Sequence, residues 1–216
     1  MLKEELNKHP ELYRRAFHLS IFTILYNFVE GWISVLWGFE DDTLALFGFG
    51  VDSFIEMMSG VGVAIMIMRI WRHPLKAPVH FETTALYITG IGFYVLTLGL
   101  VVSALHHLIR GYSPTSTIGG VVIACISIVV MVGLYASKLK VSRTLNSPAL
   151  KSDASCILVC IYMSLILLAS SVVYEFTGFG YVDSLGTLGL AYYSFIEGRE
   201  AVTKAKVKTT NNIVEE

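Results

Sequence analysis

The stretch "GVDSFIEMMSG", residues 50–60, lies within residues 43–70, a run that is otherwise almost entirely apolar. A bilayer core about 30 Å thick is crossed by roughly 20 helical residues, so this run is long enough to span. It nevertheless carries Asp52 and Glu56. An ionisable side chain in mid-membrane costs several kcal/mol unless it faces protein or water, and it marks a functional position by default. The i, i+4 spacing puts both carboxylates on one helix face, with Cβ atoms roughly 6 Å apart. Such a pair can share one cation, or without a counter-ion keep a proton between its members.

Five other stretches have the same length and character, at 17–38, 82–109, 116–138, 150–175 and 179–201. With 54% hydrophobic and only 15% charged residues among 216, the chain is too apolar for a soluble domain of its size. The expected fold is therefore all-α: a polytopic membrane protein with six transmembrane helices. Residues 1–16 form a cytoplasmic N-terminal segment, 17–201 the membrane domain, and 202–216 a polar cytoplasmic tail expected to fray. The opening "MLKEELNKHPELYRR" lacks the basic, apolar, small-residue order of a cleaved signal, so the first span is expected to be retained.

A formal net charge of -1 says nothing of a nucleic-acid partner, and none is expected; the placement of charge says more. Lys3, Lys8, Arg14 and Arg15 precede the first span, and Arg69, Arg72 and Lys76 follow the second. Lys138, Lys140, Arg143 and Lys151 join the fourth to the fifth, and Arg199, Lys204, Lys206 and Lys208 follow the sixth. The alternate connections hold Arg110 against Glu40, Asp41, Asp42 and Glu175. Positive charge collects on the cytoplasmic side, which puts both termini there and requires an even number of spans. Trp32, Trp37 and Trp71 fall where interfacial aromatics belong.

The fifth span opens with "KSDASCILVC". Cys156 and Cys160 are four apart, with Asp153 one turn earlier on the same face. Two thiolates from this helix and two carboxylates from the second can close a four-ligand zinc-type site, with Zn–S at about 2.3 Å and Zn–O at about 2.0–2.2 Å. The same thiols can equally be packing groups, the reading given to the lone Cys125. A disulfide between Cys156 and Cys160 does not suit one helix wall, so both read as free thiols. In the first span, Asn27 and Glu30 are either an outer station or gate, or a helix-bridging amide with an acid at headgroup level. Asp183 reads as the N-cap of the sixth helix, and the small residues of "MSGVGVA" and "GTLGLA" as close-packing positions. The histidines, including adjacent His106 and His107, form no common face. No nucleophile with a base and no phosphate loop suggests an enzyme, and no prosthetic group is expected.

Six spans, "DSFIE" in the second and "SPALKSDASCILVC" entering the fifth resemble the membrane domain of the cation diffusion facilitator family over essentially the whole chain. That family carries Asp-x-x-x-Asp in the second helix and His-x-x-x-Asp in the fifth. The resemblance puts its metal ligands at Asp52, Glu56, Cys156 and Cys160, with Asp153 as the preceding acid. It implies export of a divalent transition metal in exchange for protons, by a homodimer. Two departures are expected to matter: both ligands of the fifth helix are cysteine, and no cytoplasmic metal-binding domain follows the sixth span here.

Soft thiolates beside carboxylates suit zinc or cadmium. Four ionised ligands around a divalent ion would leave a residual charge of about -2, so a proton stays or Asp153 lies outside the ligand set. An unperturbed thiol has a pKa of about 8.5, so metal must expel protons from the empty site near neutral pH. The expected protein is thus a proton-coupled metal exporter in the cell (inner) membrane. Metal ion, protons and lipid bilayer are its partners. The competing expectation is a transport-incompetent membrane protein that regulates a partner, its intramembrane carboxylates paired with groups such as Asn27.

Overall fold

The structure, a computed structural model, describes residues 10–72, 79–145 and 148–215. Lys3, Lys8, His9, His73 and Lys76 lie outside these, as do the side chains of Arg69, Trp71, Arg72, His80 and Lys208. The described chain forms six helices: α1 (Pro10–Glu40), α2 (Leu44–Arg72), α3 (Val79–Arg110), α4 (Ile118–Thr144), α5 (Pro148–Thr177) and α6 (Tyr181–Glu215). Each expected span falls on one of them. Pro10 and Pro148 open α1 and α5, where a missing amide hydrogen costs nothing. Gly111 and Gly178, at φ 70° and 65°, end α3 and α5 in the left-handed conformation that glycine adopts without strain.

Five helices, α1 to α5, are long and apolar enough to cross a membrane. The sixth is too polar by that measure, since Asp183, Glu197 and a Tyr-Tyr pair dilute its apolar residues. Nor does it end at residue 201: helix continues through the tail that was expected to fray, to Glu215. Ala201 and Ala205 are buried there, and Lys204 pairs with Glu200 one turn back at 2.6 Å.

Burial is inverted relative to a soluble protein. Phe22, Leu25, Val29, Val95, Leu98 and Val129 are exposed, while Asn27, Ser34, Asp52, Ser127, Ser164 and Thr187 are buried. Exposed apolar surface on this scale is a liability in water and is what lipid requires. Ser127 and Ser164 bridge helices, and Ser164 and Thr187 bond back to carbonyls of their own helices. With its apolar helices, this makes the chain an integral membrane protein.

The helices associate chiefly as the pairs α1–α2, α3–α6 and α4–α5. Glycines permit the close crossings: a Cβ on Gly90 of α3 would lie 2.7 Å from Val202 and 3.1 Å from the Gly198 carbonyl of α6. Between antiparallel α4 and α5 a constant register brings Ser127 onto Ser164 (Oγ–Oγ 3.0 Å) and Lys138 onto Asp153. Met131, Leu134, Ile157 and Cys160 cluster between those polar rungs.

The acidic connections are laced together. Asp183 accepts hydrogen bonds from Leu44 N (3.0 Å) and Ala45 N (3.3 Å), so it caps α2 and not its own helix. A neighbouring helix satisfies the bare N-terminus of α2, which no rule of local sequence detects. Thr43 Oγ1 donates to Ser116 O at 3.0 Å, and Thr117 N donates to Glu175 Oε1 at 2.7 Å.

Candidate metal centre

At the middle of α2 and α5 the Sγ of Cys160 donates a hydrogen bond to Oε1 of Glu56. Glu56 also accepts from Asn27 Nδ2 of α1 at 3.3 Å through Oε2. Three helices thus meet at one carboxylate. Cys160 is 4% exposed, and all three cysteines are free. Cys125, expected to fill core space, is instead exposed on α4 and outside this site.

Glu56, Cys156 and Cys160 line a cavity of about 30 Å³, together with Asn27 and Asp153. That volume holds roughly one water-sized species. Phe93 of α3 and Met131 of α4 wall it in. On each helix the lining residues run from mid-span toward the end with the basic connections: Thr23 on α1, Gly60 on α2, Thr89 on α3 and Asp153 on α5. The opposite end is the one closed by Asp183, Thr43 and Thr117.

Not every expected ligand converges. Asp52 is 2% exposed but does not line the cavity; its electrostatic neighbours are Glu56 and Cys160 as well as Glu30 and Glu197. One of its carboxylate oxygens, Oδ1, has no hydrogen-bond partner. Glu30 is buried and accepts from Tyr26 Oη at 2.7 Å and Ser53 Oγ at 3.2 Å. Asp153 reaches the cavity wall, but its Oδ2 sits 2.7 Å from Lys138 Nζ. Among the described residues no three His, Cys, Asp or Glu side chains are grouped closely enough to hold a metal ion. Oxygen and sulfur from α2 and α5 meet as the pair Glu56–Cys160 with Cys156 beside it, while Asp52 stands near that pair without lining the cavity.

Two participants escape the sequence-based reading. Glu197 of α6 is 6% exposed and interacts electrostatically with Cys156. It lies inside the expected sixth span and carries the same signal as Asp52, but the adjoining "GRE" makes it read as a helix-end charge. Lys138 counts as a connection charge in the sequence, yet it continues the stripe Ser127, Met131, Leu134 that faces α5.

Chemically, the site offers a carboxylate in contact with a thiol, a second thiol and a third-helix amide, in a water-excluding environment. Such a set suits a borderline-soft divalent cation better than the all-oxygen cages of magnesium or calcium. The sequence model of the cation efflux transmembrane domain matches residues 20–207. A search of curated proteins finds no match.

Proposed function

Because the chain belongs to the cation efflux transmembrane domain family, and so is in general outline a membrane transporter of metal cations, we propose that it is a proton-coupled secondary transporter. Its cargo in this reading is zinc or cadmium, exported through a site built on Asp52, Glu56, Cys156 and Cys160. No covalent chemistry is assigned to it. The observation that carries the reading is the Cys160–Glu56 contact across α2 and α5, on the wall of a cavity that Cys156 shares.

The contact supports proton coupling directly. A hydrogen bond from thiol to carboxylate holds a proton between the two atoms that a metal would bridge. The cation has to displace that proton, since thiolate and carboxylate are the ligating forms. Asn27 holds the other oxygen of Glu56, leaving Oε1 aimed at sulfur. Cargo and protons then compete for one set of atoms, and alternating exposure of the site to the two sides would convert a proton gradient into metal export.

Asp52 neighbours Glu56 and Cys160 but does not line the cavity, so in this reading it joins the ligands through a movement of α2 relative to α5. Relative motion of packed helices is how secondary transporters change access. In this reading both termini and the end of the cavity toward the basic connections face the cytoplasm, as the positive-inside rule favours, and α6, packed on α3, is a sixth, more polar span. A homodimer is the assembly that the family resemblance implies.

A bond from Asn27 to Glu56 is also what a regulator that had kept the fold and lost transport would use to satisfy its buried acid. Reconstitution separates the two. Purified protein in liposomes with a pH-reporting lumen is expected to move protons when zinc or cadmium is added, and Glu56→Ala to abolish the signal. A metal-independent baseline in the wild-type protein rejects transport in favour of the regulator.

A further inference from the structure

Lys138 is 4% exposed, the lysine of the buried set among the described residues, and its Nζ lies 2.7 Å from Asp153 Oδ2. Both members of the pair are almost wholly out of water, at 5% and 7% side-chain exposure. Buried ion pairs are poor sources of stability, because desolvation offsets most of the attraction and an apolar pair packs as well. The α4–α5 seam already has apolar rungs in Met131, Leu134 and Ile157 on one side and Val141 and Leu150 on the other. An apolar rung at 138 and 153 would continue the seam without that cost.

The location supplies a reason. Asp153 lines the cavity one turn from Cys156, on the side toward the basic connections. A cation moving between that end and the Glu56–Cys160 contact passes its carboxylate. In this structure the acid is already occupied, by a monovalent cation tethered to α4. The other cation near the thiol, Lys204, pairs with Glu200 and is 30% exposed, so it can turn to solvent as Lys138 cannot.

We propose that Lys138 is a specificity-setting positioning residue: its ammonium keeps Asp153 from ligating the cargo beside Cys156, and so limits how tightly the site retains a divalent metal. This rests on the reading of the cavity as the cation's route. With the ammonium in place Asp153 contributes no net charge at the cavity mouth; with the ammonium gone, a bare carboxylate would stand one turn from the Cys156 thiol and retain the metal. A transporter gains from such a tether because a site that binds too well does not release.

The pair is tested by variants with opposite signs. Lys138→Met frees Asp153 and is expected to lower the cadmium Kd of the detergent-solubilised protein about tenfold, the scale of one close charge interaction in a partly solvated site. Turnover in proteoliposomes then falls together with KM. Asp153→Asn leaves the ammonium unopposed and is expected to raise Kd by a similar factor. The double variant returns it to near the wild-type value. A merely structural pair moves both single variants the same way, or lowers the amount of folded protein with Kd unchanged, and either result overturns the proposal.

The exchanged pair, Lys138→Asp with Asp153→Lys, preserves the ionic rung should Lys138→Met not fold. It puts the ammonium on the cavity wall and is expected to weaken cadmium binding; wild-type affinity in that protein overturns the proposal. Failure of the underlying reading looks different, because the wild-type protein itself then neither binds nor transports cadmium.

Discussion

Cys160 and Glu56, 104 positions apart in the chain, touch through Sγ and Oε1 where α5 crosses α2. A soft donor and a hard donor share a hydrogen bond there, on the wall of a cavity that Phe93 and Met131 also line. Affinity, selectivity and proton exchange all act in this account on those two atoms and their neighbours.

Replacing both thiols is the test of selectivity. Cys156→Ser with Cys160→Ser keeps approximate size and removes the soft ligands, so cadmium transport is expected to fall at least about tenfold relative to manganese. Competition assays in everted vesicles measure the ratio. An unchanged preference assigns the thiols to packing.

Binding must depend on pH if protons and metal compete. Thiol and carboxyl protons are expelled as metal enters, so affinity is expected to rise between about pH 6 and about pH 8, with proton release in weakly buffered solution. The sign follows from mass action: protons favour the empty site. A pH-independent Kd would remove proton displacement from the account.

Glu197→Gln keeps a hydrogen-bonding side chain next to Cys156 while deleting one of the charges around the site. Metal affinity is expected to drop by about threefold to tenfold, with protein yield preserved. Asn27→Ala removes the Nδ2 bond that holds Glu56 in place. A hydrogen bond to a carboxylate is worth about 1.5–3 kcal/mol, so KM is expected to rise at least about tenfold.

Asp183→Ala addresses closure at the acidic end. It strips two backbone bonds from the N-terminus of α2, at Leu44 and Ala45. A cost of about 1–2 kcal/mol is expected, read as a lower unfolding temperature in detergent. If stability is unchanged and metal affinity alone moves, Asp183 belongs to the transport route and not to closure.

Helix positions were legible in the sequence because lipid demands length and apolarity of each segment separately. The polar tail misled for the converse reason: its helicity comes from Ala201 and Ala205 packing and from Glu200–Lys204, not from apolar composition. Site residues were legible as types, since Asp52 and Glu56 stand out among apolar neighbours and the two thiols keep helical spacing. Direction was not. A shared helix face at i, i+4 is some 40° wide of coincidence per turn, enough for Glu56 to line the cavity and touch Cys160 while Asp52 does not line it. Partners such as Lys138 for Asp153, or Asp183 for the α2 terminus, depend on neighbours that only the packed bundle reveals.

X-ray absorption at the zinc edge of the loaded protein tests the central claim most directly. The account predicts a mixed shell, with sulfur at about 2.3 Å and oxygen at about 2.0–2.2 Å, whose sulfur component disappears in Cys156→Ser with Cys160→Ser. A shell of oxygen and nitrogen alone in the wild-type protein would contradict it.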